Sequence, residues 1–115
     1  MELDKFLPLT ETTYYILLSL LEPAHGYITM QKVEKLSHNK VKVAAGTMYG
    51  AIENLLKQQL ITAVKSTDKR RKTYVITDKG RQVLKLDCER MKHIVSITEQ
   101  LLSTGHEGKE GVEHV

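Results

Sequence analysis

A mainly helical fold carrying one small β-hairpin is predicted for this 115-residue chain by three observations. Apolar residues recur at helical spacing in three separate segments before residue 58. Two runs of alternating residues with a polar turn between them follow. A last segment keeps helical periodicity from residue 78 to about residue 102, longer than any of the others.

The first helix starts after Pro8 and Leu9. Thr10 suits an N-cap, and Glu11 lies at the positive end of the helix dipole. Tyr14, Ile16, Leu17, Leu18, Leu20 and Leu21 make the helix apolar over much of its circumference, as expected of a helix enclosed by others. Pro23 is expected to stop it. Gly26 starts the second helix. Tyr27, Met30, Val33 and Leu36 are predicted as its buried stripe, with Gln31, Lys32, Glu34 and Lys35 facing water. Ser37, His38 and Asn39 end it, and Val41-Lys42-Val43 alternates like a short strand.

The third helix is predicted over 46–58. Met48, Ile52, Leu55 and Leu56 fall within about a quarter-turn at 100° per residue. Gly50, Asn54 and Lys57 face outward, flanked by Thr47 and Glu53, and Tyr49 lies at the boundary. Ile61 to Val64 reads as a strand. Ser66-Thr67-Asp68-Lys69-Arg70 reads as a turn-rich connector. In the returning strand Lys72, Tyr74 and Ile76 alternate with Arg71, Thr73 and Val75. Tyr74 is expected in the core. Thr77 suits the N-cap of the last helix, with Asp78 in its first turn. Gly80 is expected where that helix packs closely on its neighbours.

The last helix, about 37 Å long at 1.5 Å per residue, carries two apolar stripes. Leu84, Cys88, Met91, Val95, Thr98 and Leu102 alternate at spacings of four and three, a heptad seam. Ile94, Ile97 and Leu101 form a second stripe beside it. One stripe is expected to pack on its own domain and the other on the same helix of a second copy. The predicted organisation is a DNA-binding domain over 1–77, a dimerisation helix over 78–102, and a mobile, Gly-rich, charged tail over 103–115.

This element order is that of a winged helix-turn-helix with an appended dimerisation helix, in which the third helix enters the DNA major groove. Gly50 would let the backbone approach DNA closely. Thr47 and Asn54 suit base edges or phosphates, and Lys57 a phosphate. The net charge is only +3, but its distribution is uneven. Lys65, Lys69, Arg70, Arg71 and Lys72 crowd the hairpin against Asp68 alone. Asp87, Glu89, Glu99, Glu107, Glu110 and Glu113 lie in the last helix and tail. Cations gathered on a turn repel one another unless an anion accompanies them, so double-stranded DNA is the expected partner.

Other functional classes find little support. The sequence has no phosphate-binding glycine loop, nucleophile elbow or zincin motif, so no enzyme is expected. His25, His38, His93, His106 and His114 show no ligand spacing, and neither metal nor cofactor is expected. Cys88 is the single cysteine. It precludes an intrachain disulfide and reads as a small buried hydrophobe rather than a thiol sensor. Without a signal-peptide pattern or a membrane-length apolar run, a cytoplasmic location with no membrane partner is expected. The alternative to operator binding is a winged-helix assembly module whose basic wing grips an acidic protein.

Several blocks together resemble the PadR family of bacterial transcriptional regulators. They are Thr10-Glu11-Thr12-Thr13-Tyr14-Tyr15-Ile16-Leu17, His25-Gly26-Tyr27, Gly46-Thr47-Met48-Tyr49-Gly50-Ala51-Ile52, Leu60-Ile61, and Arg70-Arg71-Lys72-Thr73-Tyr74-Val75-Ile76-Thr77 with Gly80. The single C-terminal helix is similar to the family's short branch. The resemblance implies a homodimeric repressor on a near-palindromic operator, with Tyr49, its helix neighbours and 69–72 of the wing touching DNA. It also implies that the last helices pair across the dimer, with the first helix packed against them. Some short members hold a planar hydrophobic effector between the paired helices, using a tryptophan. This chain has no tryptophan, and Met91 stands at that place. A small-molecule effector site is expected at Cys88, Met91 and Val95.

Overall fold

The computed structural model describes residues 2–65 and 70–107. A 3₁₀ turn, Glu2–Phe6, leads into α1 (Glu11–Ser19), β1 (Ala24–His25), α2 (Gly26–Leu36), α3 (Ala45–Lys57), β2 (Ile61–Val64), β3 (Thr73–Ile76) and α4 (Asp78–Glu107). The fold is mainly helical with a small antiparallel sheet, the winged helix-turn-helix expected.

Thr10 caps α1, its Oγ1 accepting from the Thr13 amide at 3.1 Å. Ile16 and Leu17 within the helix, and Leu20 after it, are fully buried, as suits a helix enclosed by others. The helix ends at Ser19 with Leu20 as its C-cap, four residues before Pro23, whose restriction on the preceding residue bears only on Glu22. Two distant cations then satisfy the open carbonyls at its end. Lys32 Nζ donates to Ser19 O at 3.5 Å, and Arg81 Nη2 to Leu21 O at 3.3 Å.

In α2 the predicted stripe is corrected. The buried positions are Gly26, Thr29 and Val33, whereas Tyr27 is 59% and Leu36 47% exposed. A strict three-residue repeat turns back about 60° at each step, so Tyr27 and Leu36 end on opposite sides. Thr29 is tolerated inside because its hydroxyl donates to His25 O at 3.0 Å. The expected strand at Val41-Lys42-Val43 is also absent. His38 and Asn39 take left-handed backbone conformations, φ 55° and 66°, and carry the chain into an extended connector. Val41 and Val43 are buried there around an exposed Lys42. The Ser37 hydroxyl holds the connector, accepting from the Val41 amide at 2.9 Å.

The sheet has the order β1-β3-β2. In the hairpin Ile61 pairs with Ile76 and Val64 with Thr73. On the other edge of β3, Ala24 pairs with Tyr74 and His25 with Thr73. β1 has only two residues, too few for any alternation to announce it. Tyr74 and Ile76 face the core, as their alternation implies. Their neighbours there include Met48, Ile52 and Leu55 of α3 and Val83 and Leu84 of α4.

Thr77 caps α4. It accepts from the Gly80 amide at 3.0 Å while its hydroxyl donates to Gln59 O at 2.7 Å. A Cβ on Gly80 would lie 2.2 Å from Leu60 O, so this turn requires glycine, as expected. The helix continues to Glu107, five residues past the expected end, since a lone Gly105 costs a helix only about 1 kcal/mol. The rest of the predicted tail, 108–115, lies outside the described residues.

The two stripes of α4 do not divide as expected. Val83, Leu84 and Asp87 are buried in the chain's own core, Cys88 and Met91 are half-buried, and every described side chain from Lys92 to Thr104 is exposed. The division runs along the helix rather than around it, because the globular part reaches only about halfway up. Leu84, assigned to the seam, is thus packed within its own chain. Val95, Thr98 and Leu102 remain open, together with Ile94, Ile97 and Leu101. The Thr98 hydroxyl donates to Ile94 O at 2.7 Å, so its polar group is satisfied inside the helix.

Candidate nucleic-acid interface

α3 presents a continuous outward face. Burial of Met48, Ile52 and Leu55 turns Gly46, Thr47, Gly50, Glu53, Asn54 and Lys57 outward, and all six are exposed. At 100° per residue, Tyr49 lies on one flank and Thr47 and Asn54 on the other, with Gly46, Gly50, Glu53 and Lys57 between. Among the described residues a Cβ on Gly50 would meet no atom within 4 Å, and its φ is not positive. Neither packing nor backbone conformation therefore requires glycine there. A helix-interior glycine costs about 1 kcal/mol relative to alanine, and nothing among the described residues offsets that cost.

Tyr49 leans from α3 across the start of α2. A Cβ on Gly26 would lie 2.7 Å from Tyr49 Cε1 and 2.9 Å from its Oη, so Gly26 makes room for the ring. Half of Tyr49 stays exposed. Beneath it, burial and then the neighbouring Tyr49 raise the pKa of Tyr74. The sheet brings the wing to the same place. Because His25 pairs with Thr73, Arg71 reaches His25, with Nη1 3.2 Å from Nε2. The result is a concavity of about 470 Å³ lined by His25, Gly26, Tyr27, Tyr49, Tyr74 and the cations Arg70, Arg71 and Lys72.

The structure thus brings Tyr49 together with Arg70, Arg71 and Lys72. Lys65 follows β2, beside Lys72 in the register set by the Val64–Thr73 pair, and is exposed. Lys69 lies outside the described residues. Asn54 is not in this groove; it lines a smaller depression with Phe6, Pro8, Leu9, Thr10, Thr13, Ala51, Leu55 and Gln58. Sequence reasoning did not assign His25, Gly26 and Tyr27 to the site. The usable signal was the His25-Gly26-Tyr27 block itself, since a glycine opening a helix without a positive φ asks what packs against it. Asp87 does not add to the exposed acidic charge of the last helix: it is 1% exposed, pairs with Arg90 and accepts from the Leu9 amide at 3.3 Å.

A helix with an uncovered polar face beside a cationic hairpin defines a winged-helix DNA-binding protein. Residues 16–86 match the transcriptional regulator PadR-like family, and the chain belongs to that family, whose members are transcriptional regulators. Among solved structures it is similar to a PadR-family regulator from Eggerthella lenta. Identity is 26%, covering 80% of this chain and 81% of that one, with a TM-score of 0.65. A PadR-like transcription factor from Bacteroides fragilis is also 26% identical, covering 77% and 87%, with a TM-score of 0.65. A transcriptional regulator from Clostridium thermocellum shares the fold at 21% identity, covering 78% and 87%, with a TM-score of 0.65. No curated protein sequence matches the chain. Among the described residues no helix is long and apolar enough to cross a membrane.

Proposed function

We propose that this chain represses transcription by binding a near-palindromic operator as a homodimer. The observation that carries the reading is the shared groove. Tyr49 at the edge of the outward face of α3 and Arg70, Arg71 and Lys72 of the wing line one concavity, while the rest of that face is uncovered. On this reading Gly50 admits the DNA backbone or a base edge. Thr47 and Asn54 read bases or phosphates on the far flank, and Lys57, Lys65 and 69–72 neutralise phosphates. Two copies would set their recognition helices about 34 Å apart, one turn of DNA.

Dimerisation is proposed through the bare half of α4, along Met91, Val95, Thr98 and Leu102, with Cys88 at its inner end. Exposed apolar residues in such a row cost solubility unless another surface covers them. An effector site at Cys88, Met91 and Val95 belongs to the same proposal. In the single chain these residues line a shallow depression of about 310 Å³ made entirely by α4 with Lys92, Ser96 and Glu99. Only a facing helix would enclose it.

The test of operator binding is affinity for duplex DNA across salt concentrations. Binding should weaken steeply as salt rises, with a log–log slope of about 0.9 per neutralised phosphate. A flat dependence, or no binding at low salt, rules the reading out.

A further inference from the structure

The operator reading gives tasks to the neutral and basic side chains on the outward face of α3 and none to its one acid. We propose that Glu53 is a base-reading residue, its carboxylate accepting a hydrogen bond from the exocyclic amino group of a cytosine in the major groove. The inference rests on the operator reading and adds to it a specificity-determining residue and the base that this residue selects.

Glu53 stands in the middle of the surface that would meet DNA. With Met48, Ile52 and Leu55 buried, the midline of the exposed face runs through Gly46, Gly50, Glu53 and Lys57. The first two have no side chain. Glu53 is therefore the first residue on that line able to extend toward a ligand, and it follows by about one helical turn the glycine at which the backbone can come closest. No group of the chain engages it. Glu53 precedes Lys57 by four residues, the spacing and order in which a helix best pairs a glutamate with a lysine. Yet among the described residues neither side chain makes an ion pair or a hydrogen bond.

Charge decides what Glu53 can touch. A carboxylate offers acceptors only, so phosphates repel it and it cannot share the task of Lys57. At the centre of a surface that faces a polyanion, it weakens binding to any duplex unless a donor meets it. The major-groove edges of the bases differ in what they offer. Guanine presents two acceptors, thymine an acceptor and a methyl group, and adenine a donor beside an acceptor. Cytosine alone presents a donor with no acceptor next to it, the N4 amino group. A carboxylate in that position favours cytosine and rejects the other three bases, so what it costs in affinity it returns as selectivity.

The experiment lets the natural protein select from a pool of duplexes randomised over about 30 base pairs, about three turns of DNA. The selected sequences should share a C·G pair in each half-site. Replacing it by T·A in both half-sites of a labelled duplex should weaken binding, followed by anisotropy, about tenfold or more. Glu53→Ala keeps the helix, since alanine is the stronger helix former. It should bind both duplexes about equally. Glu53→Gln should move the preference at that pair toward A·T, because an amide carries the donor and acceptor that match adenine. Selected sequences without a shared cytosine, or the natural preference for C·G retained in either variant, overturn the proposal. So does an equal gain in affinity of Glu53→Ala for both duplexes, since the carboxylate would then repel DNA without reading it. Sequence-selective binding that ignores residue 53 defeats this inference alone, whereas no binding at low salt defeats the operator reading and takes this inference with it.

Discussion

The junction between β2 and the first turns of α4 is closed by the chain itself, whereas the outer face of α3 and the second half of α4 are left open. Two glycines display the contrast. At Gly80 a Cβ would collide with Leu60 O at 2.2 Å and Ile76 Cγ1 at 2.7 Å; at Gly50 it would meet nothing within 4 Å among the described residues. The first glycine is explained by the fold, and the second is not. The same contrast divides α4, where Val83 is fully buried and Val95 is 53% exposed. Residues in the closed region answer to stability; on the proposed reading, those in the open region answer to partners.

The largest expected effect is in the closed region. Gly80→Val drives side-chain atoms into a backbone carbonyl that cannot move without displacing β2, and overpacking of that kind costs about 3 kcal/mol or more. Its denaturation midpoint should fall by a corresponding amount; a midpoint near that of the natural protein would mean that β2 and α4 are not locked together as described.

A smaller effect is expected at the border between the regions. Burial pushes the Tyr14 pKa from 10.0 up to about 12, helped by a hydrogen bond with Cys88 and by the proximity of the Cys88 and Asp87 charges. The folded protein thus holds this proton after the unfolded chain has lost it. Tyr14's contribution to stability is complete below about pH 10 and declines as pH rises from there toward 12. Tyr14→Phe should lose less stability than the natural protein between pH 9 and pH 11, by at most about 2 kcal/mol. Equal losses in the two proteins would show that Tyr14 is more accessible than its place beside α4 implies.

In the open region the expected change is in association. Val95→Glu places a charge on an exposed helix position, so thermal stability measured at low protein concentration should hardly move. On the proposed dimer, self-association should weaken about tenfold or more, roughly 1.4 kcal/mol, by sedimentation. Unchanged association moves the interface elsewhere.

Legibility in the sequence followed the same division. The closed elements announced themselves through periodicity and caps: Thr10 and Thr77 at helix starts, Met48, Ile52 and Leu55 on one side of α3, Tyr74 and Ile76 on one side of β3. The α2 stripe misled because repeated three-residue spacing resembles amphipathicity while rotating around the helix. β1 was invisible because two residues carry no pattern, and with it went the link between His25 and Arg71. The wing cations and Tyr49 could be assigned to one function from the sequence, but their shared groove with Gly26 depends on β3 pairing with residues some 50 positions earlier. Asp87 was misread because a formal charge does not report its burial.

Gly50→Ala is the finest test of the contrast, because two readings of one methyl group predict opposite signs. In the closed region an added Cβ is a collision. On α3 it meets nothing among the described residues, and alanine favours the helix over glycine by up to about 1 kcal/mol. The variant should therefore be slightly more stable than the natural protein, by about 0.5 to 1 kcal/mol in denaturant. On the proposed reading its affinity for DNA should fall at the same time, since the methyl would occupy the space through which the helix backbone approaches the duplex. Higher stability with undiminished binding would show that DNA does not reach this turn, and the centre of contact would then lie nearer Tyr49 and the wing.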